Sequence, residues 1–217
     1  MNPSGQARIV RGRADPISGA SFPSTGEDGP AFDGLGFHCR YACEVRQWTA
    51  APGPGTLRIS LGRPKETVDP GPSDGVEVHV EPTNAPSWNA IFEGFSAVAS
   101  FPEGAFGTPS PDRVLVVTGG TSYLVPTDAP LDRKVVCQYT CGVVAAPALG
   151  VLALAGHDTL VGLGPQGIIW ETAQLSMCCL RLRSVEGTIL RGDACGTDDA
   201  DRPFEVDLRD GSHHGGW

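Results

Sequence analysis

The sequence FHCRYACEVRQW, residues 37–48, alternates between two kinds of side chain and predicts a half-buried β-strand. One face carries apolar or weakly polar side chains, namely Phe37, Cys39, Tyr41, Cys43 and Val45. The other face carries polar ones, namely His38, Arg40, Glu44 and Arg46. Because successive side chains of a strand point to opposite faces, we expect one face on a core and one in solvent.

The pattern Cys-x-Tyr-x-Cys occurs in this strand at residues 39–43 and again at residues 137–141. The second copy lies in another alternating stretch, which predicts a strand over residues 135–143. We therefore expect Tyr41 and Tyr139 to be buried in corresponding places.

A second phrase follows each copy. Residues 51–57 and 146–152 share the pattern Ala-Pro-x-x-Gly-x-Leu without a gap. The two shared phrases raise the hypothesis of an internal repeat, with one β half at residues 36–112 and another, a meander of hairpins, at residues 113–209.

Composition supports short elements joined by many turns. The chain has 217 residues, of which 29 are Gly and 19 are Pro, and turn signals recur about every 8–12 residues. This favours an all-β antiparallel meander that forms a β-sandwich or a barrel-like pair of sheets. Residues 87–98 are ambiguous, because their aromatic and aliphatic side chains fall at helical spacing; we expect at most one short helix there.

The two ends of the chain have a different character. Residues 1–35 are rich in Gly, Pro, Ser and Asp, which predicts an N-terminal arm that is flexible or becomes ordered on a partner. Residues 210–217 are rich in Gly and His and predict a flexible tail.

Charge narrows the classes of partner. The net charge is −9, and no cluster of five or more Lys or Arg occurs, so the chain lacks the basic patch that nucleic acids require. No run of 18 apolar residues is present, and residues 1–35 lack the apolar segment of a signal peptide. We therefore expect a cytoplasmic protein whose seven cysteines are mostly thiols.

The spacing of the cysteine pairs resembles that of zinc ligands, but the geometry of a strand argues against a zinc site. In an extended strand, Cys39 and Cys43 are about 13 Å apart, whereas two sulfurs on one zinc ion must lie within about 4 Å. A zinc site would need one cysteine from each of several strands, for example Cys39, Cys137 and Cys178. The favoured interpretation is that the cysteines are small core residues, and we expect no cofactor or metal.

A cross-strand disulfide is an intermediate alternative. If the two Cys-x-Tyr-x-Cys strands were antiparallel neighbours, Cys39 would face Cys141 and Cys43 would face Cys137. The expected reducing compartment argues against this pairing.

A partner surface is predicted on the polar face of the first strand. Arg40, Arg46 and Trp48 fall on this face, and Trp and Arg are favoured at binding hot spots. The equally favoured alternative is that a second sheet or the 1–35 arm covers this face. No phosphate-binding loop, dinucleotide fingerprint or nucleophile elbow occurs.

The sequence thus favours a non-catalytic intracellular β module that binds another protein, or that self-associates as a subunit of an assembly. The alternative is a metal- or thiol-dependent enzyme that uses a set of five cysteines, namely Cys39, Cys43, Cys137, Cys141 and Cys178.

Overall fold

The computed structural model describes residues 7–11, 30–48, 54–59, 75–94, 101–177, 180–196, 198 and 200–217. These residues form strands and two short 3₁₀ turns, Pro130–Asp132 and Pro147–Leu149, which confirms the all-β prediction. In chain order the strands are β1 (Arg8–Arg11), β2 (Ala31–Asp33), β3 (Tyr41–Gln47), β4 (Leu57–Ile59), β5 (Gly75–Pro82), β6 (Trp88–Glu93), β7 (Gly104–Gly107), β8 (Arg113–Thr118), β9 (Thr121–Pro126), β10 (Lys134–Cys137), β11 (Gly142–Ala146), β12 (Val151–Ala155), β13 (Leu160–Gly164), β14 (Gly167–Glu171), β15 (Leu180–Glu186), β16 (Ile189–Cys195), β17 (Asp201–Asp207) and β18 (His213–Gly215).

The strands form four sheets. Sheet 1 has the order β3-β5-β6-β4, and sheet 2 has the order β10-β9-β8-β7-β2. Sheet 3 has the order β1-β11-β12-β13-β14, and sheet 4 has the order β15-β16-β17-β18. All pairings are antiparallel except β2 with β7 and β4 with β6, which are parallel.

The four sheets stack face to face in numerical order, with one apolar cluster between each neighbouring pair. Sheets 2 and 3 are therefore buried on both faces. In β11, for example, Val143 and Ala145 face sheet 2, whereas Val144 and Ala146 face sheet 4. Near-continuous apolar runs such as Val151–Ala155 are what a sheet covered on both sides requires. The arrangement is thus a layered stack with three interfaces, where the sequence suggested a single pair of sheets.

Three of the sheets are built alike. Strands β7–β10, β11–β14 and β15–β18 each run up and down through one sheet in chain order, and they begin at Gly104, Gly142 and Leu180, at equal intervals of 38 residues. The boundary predicted at residues 112/113 instead separates β7 from β8, which pair within sheet 2. The unit that recurs along the chain is one sheet, and the division into the halves 36–112 and 113–209 stays a prediction.

The two Cys-x-Tyr-x-Cys copies also differ in structure. Tyr41 begins β3 and is buried, whereas the second copy is a turn between β10 and β11, where Tyr139 is 38% exposed and has a φ of 54°. The turn forms because Thr140 bonds to the tip of the β8–β9 hairpin. Its amide donates to Gly120 O at 2.8 Å, and its buried hydroxyl lies 2.7 Å from Ser122 Oγ. The predictions of one strand over 135–143 and of a buried Tyr139 are therefore wrong.

Described segments near both ends of the chain pair with the sheets, and the predicted flexibility of residues 1–35 and 210–217 stays a prediction. Strand β1 pairs with β11 and β2 pairs with β7, and Arg8 joins Asp33 in an ion pair of 2.7 Å. At the other end β18 pairs with β17, and the Trp217 amide donates to Leu175 O at 2.7 Å.

The stretch suspected of helix formation is a strand where the structure describes it. Residues Trp88–Glu93 form β6, which pairs with both β5 and β4. Its helical spacing was misleading because Ala90 and Phe92 face the core between sheets 1 and 2, while Ile91 is fully buried on the opposite face. Residues 95–98 lie outside the described ranges.

Aromatic side chains tie neighbouring sheets through backbone carbonyls. Tyr41 Oη donates to Arg113 O at 3.1 Å and Trp88 Nε1 donates to Thr127 O at 2.7 Å, both between sheets 1 and 2. Trp170 Nε1 of sheet 3 donates to Leu208 O, just after β17, at 3.0 Å. Such hydrogen bonds let a large apolar ring be buried without leaving its polar atom unsatisfied. Among the described residues, the helical segments are too short and too polar to cross a membrane.

Candidate functional site

The predicted partner surface is not a continuous surface in the structure. Arg40 and Arg46 are exposed and pair with Asp112 and with Glu77, the latter at 3.7 Å. Trp48, however, is only 7% exposed. Strand β3 ends at Gln47, and the Trp48 amide donates to Gly75 O at 3.1 Å. The alternation therefore ends before Trp48, which is a buried residue and not part of an exposed face.

The cysteines are distributed among separate interfaces. Cys39 and Cys43 pack between sheets 1 and 2, Cys137 packs between sheets 2 and 3, and Cys141 packs between sheets 3 and 4. Stacked sheets lie about 10 Å apart, which is too far for sulfurs in different interfaces to share a zinc ion. Cys39 and Cys137 therefore do not form the suggested site. Cys178 lies outside the described residues.

The five described cysteines, which include Cys195, are free thiols. The alternative disulfides between Cys39 and Cys141 and between Cys43 and Cys137 are excluded, because each would cross at least one sheet. In the part of the chain that the structure describes, no three His, Cys, Asp or Glu side chains are grouped to hold a metal ion.

Burial keeps the core thiols protonated. Desolvation raises the pKa of Cys43 to about 12, with a contribution from the neighbouring Cys39. It also raises the pKa of Cys137 to about 11, against the opposing effect of a hydrogen bond with Thr140. Because the thiolate is the reactive form of cysteine, these two side chains are poor nucleophiles at neutral pH.

A cleft of about 300 Å³ opens where sheets 2 and 3 meet. One wall comes from β8, β9 and β10 of sheet 2, and the other from the hairpin that joins β13 to β14 in sheet 3. We call it the 113/134 cleft, after the two cations Arg113 and Lys134 that line it. Asp132, Val135 and Ile168 also contribute to the walls.

The hairpin lies directly over Arg113. Gly167, at its tip, has a φ of 123°, a conformation that favours glycine. A Cβ atom at Gly167 would lie 3.8 Å from Arg113 Nη1, so the guanidinium group lies against the backbone of the turn. Gln166 supplies an amide side chain beside it.

The two cations that line the cleft differ from most other described cations in having no acidic partner. Nine arginines form ion pairs with carboxylates: Arg8, Arg40, Arg46, Arg58, Arg181, Arg183, Arg191, Arg202 and Arg209. Arg113 and Lys134, which line the cleft, form no ion pair; Arg133 also forms none, but it is not part of the lining and its guanidinium donates to Leu131 O at 3.0 Å. Among the described residues, two of the three Arg and Lys side chains without a carboxylate partner thus line the cleft.

Exposed aliphatic side chains occur in the lining of the cleft and next to it in the sequence. Val135 and Ile168, which line the cleft, are 41% and 53% exposed. Leu131 and Ile169, which adjoin the lining in sequence, are 62% and 48% exposed. These four account for more than half of the large exposed hydrophobic residues in the described ranges, and clustered apolar exposure is typical of interaction sites.

Sequence reasoning missed this cleft because its parts are far apart in the chain. Two local signals were nevertheless present. Arg133-Lys134 contains one of only two lysines, and Ile168-Ile169 places two large apolar residues side by side immediately after a Gly-containing turn. Nothing in the sequence indicates that Arg113 lines the same cleft as Lys134 and Ile168.

Comparisons of this chain with protein-family models, with curated proteins and with solved structures found no match.

Proposed function

We propose that this protein is a non-catalytic module that binds another protein through the 113/134 cleft. The observation that carries the proposal is the pair of cations Arg113 and Lys134, which line the cleft without a carboxylate partner, whereas nine other described arginines have one. A cation without a carboxylate partner can make charge-assisted hydrogen bonds with a ligand.

The combination of residues in the cleft favours recognition over catalysis. Aliphatic side chains around a few polar groups supply apolar area and orientation, which is the composition of a binding site. The volume of about 300 Å³ is at the lower end for ligand pockets, so the cleft suits a few side chains of a polypeptide. Five free cysteines in the described residues fit a reducing, intracellular compartment.

The test is a selection from a random heptapeptide display library on the intact protein. Selected peptides are synthesised, and their affinities are measured by fluorescence anisotropy for the wild type and for the double variant R113Q/K134Q. We expect a loss of about tenfold or more, because hydrogen bonds to charged groups contribute roughly 1.5–3 kcal/mol each. Chemical shifts of the ¹⁵N-labelled protein should change at Lys134, Val135 and Ile168 when peptide is added.

Two single variants make the result interpretable. R181Q removes an exposed arginine from sheet 4, which is paired with Asp201 at 2.8 Å and lies outside the cleft, and should leave the affinities unchanged. R46Q tests the surface predicted from the sequence. Peptides that bind R113Q/K134Q as tightly as the wild type but lose affinity for R46Q would place the binding surface on sheet 1 and refute the cleft.

A further inference from the structure

The charge of the cleft defines the kind of segment that it can bind. Its lining contains Arg113 and Lys134 against a single acid, Asp132. Nine other described arginines are neutralised by carboxylates. A basic segment would be repelled by Arg113 and Lys134, whereas an acidic segment would be attracted to them, so an acidic segment is the kind that gains affinity specifically at the cleft.

The apolar side chains define the second requirement. Val135 lies on one wall and Ile168 on the other, and both are about half exposed. A ligand with an aliphatic side chain between carboxylates would remove both residues from water while its acids reach Arg113 and Lys134. Roughly 25 cal/mol is gained for each Å² of apolar surface removed from water.

The strand edges beside the cleft argue against one common mode of peptide binding. Strands β10 and β14 are the outer strands of sheets 2 and 3 in the described structure. The pairing of β10 with β9 shifts register between Val135 and Cys137, and the pairing of β13 with β14 shifts between Gly162 and Leu163. Such bulges twist an edge and are a device that prevents another strand from adding to it.

From these observations we infer that the 113/134 cleft binds an acidic segment of a partner protein, with aliphatic side chains next to its carboxylates, and holds it by side-chain contacts without extending either sheet. The inference rests on the proposed binding function. It adds the chemistry of the partner and the mode of recognition.

The experiment begins with the heptapeptides that bind the wild type and lose affinity for R113Q/K134Q. We expect these sequences to be enriched in Asp and Glu and in Val, Ile and Leu relative to the unselected library. Their affinity should fall at least about fivefold between 50 mM and 500 mM NaCl, because salt screens attraction between exposed charges. R181Q is the matched control for the loss of a positive charge.

The mode of binding is tested with the tightest of these peptides, synthesised with N-methyl groups on alternate backbone amides in both possible registers. Strand addition needs the peptide amides as donors in one register, and N-methylation in that register would abolish it. Side-chain recognition predicts that both methylated peptides keep their affinity within about threefold. A loss of more than tenfold in one register only would overturn the side-chain mode.

Each outcome has a separate meaning. Cleft-dependent peptides that are neutral or basic would overturn the inference about the partner and leave the proposed function standing. A library that yields no peptide sensitive to R113Q/K134Q would refute the proposed function itself. Self-association of the wild type in sedimentation that R113Q/K134Q abolishes would make a second copy of this chain the occupant, and would also overturn the inference.

Discussion

Replacement of Gly162 by alanine should destabilise the junction between sheets 3 and 4. Gly162 of β13 is the cross-strand partner of Trp170 in β14. A Cβ atom at Gly162 would lie 2.1 Å from Cε2 of the indole ring, which is far too close for two non-bonded carbon atoms. The ring also lies close to Gly211, where an added Cβ would be 2.9 Å from it, so little free space surrounds the ring. Trp170 is therefore closely packed against two glycines.

The expected loss of stability has two sources, the overpacking around the indole ring and the hydrogen bond that the ring would lose. Overpacking of a tight site costs about 1–3 kcal/mol. Displacement of the ring also breaks the 3.0 Å hydrogen bond from Nε1 to Leu208 O, at about 0.5–1.5 kcal/mol. We expect G162A to lower the free energy of unfolding by about 2–4 kcal/mol, measured by urea denaturation with far-ultraviolet circular dichroism.

A matched control and a double-mutant cycle separate this clash from a general effect of alanine. At Gly34 a new Cβ would meet nothing closer than 4.0 Å, so G34A should change stability by less than about 0.5 kcal/mol. In a W170A background the clash is absent, and G162A should then cost little. If G162A costs the same with and without the indole ring, the reasoning is refuted.

Three further predictions concern titration and thiol reactivity. A hydrogen bond with Glu81 is the main cause that raises the pKa of His79, so an NMR titration should place this pKa above about 6.5, and E81Q should lower it. The stability that this contact contributes is complete below the pKa of His79 in the unfolded chain. It is lost as the pH rises through the pKa of His79 in the folded protein. Hydrogen bonds from Arg209 lower the pKa of Asp207 to about 2, so R209A should raise this pKa in a carboxyl ¹³C titration. The stability that this pair contributes is present above the pKa of Asp in the unfolded chain, about 3.9, and is lost as the pH falls toward 2. Burial raises the pKa of Cys137 to about 11, so peptide mapping after alkylation at pH 7 should find Cys137 unmodified in the folded protein and modified in urea. Rapid alkylation of Cys137 in the folded protein would contradict its burial.

The alternation of residues 37–48 predicted β3 correctly because a strand with one buried face has a period of two. The same argument failed at residues 135–143. Their alternation is real, but Thr140 bonds to the β8–β9 hairpin tip, and this tertiary contact bends the chain into a turn. The stretch around Ile91 failed for a related reason, since a strand buried on both faces has no period to detect.

The candidate site was even less visible than the fold. Arg113, Lys134 and Ile168 belong to three strands in two sheets, and their proximity depends on how the β13–β14 hairpin of sheet 3 lies beside the end of sheet 2. Trp48 shows the opposite error. It was placed on an exposed face by extending the alternation one residue beyond Gln47, where β3 ends.

By itself, the sequence determined the class of the fold, the acidity of the chain and the positions of many turns, because strand period, charge and turn chemistry are local properties. The number of sheets, their order in the stack, the separation of the cysteines into three interfaces and the cleft with unpaired cations were decided only in the tertiary structure. The physical reason is that apolar side chains report that a face is buried but not which sheet buries it. Likewise, a charged residue in the sequence does not reveal whether the fold will bring it a partner.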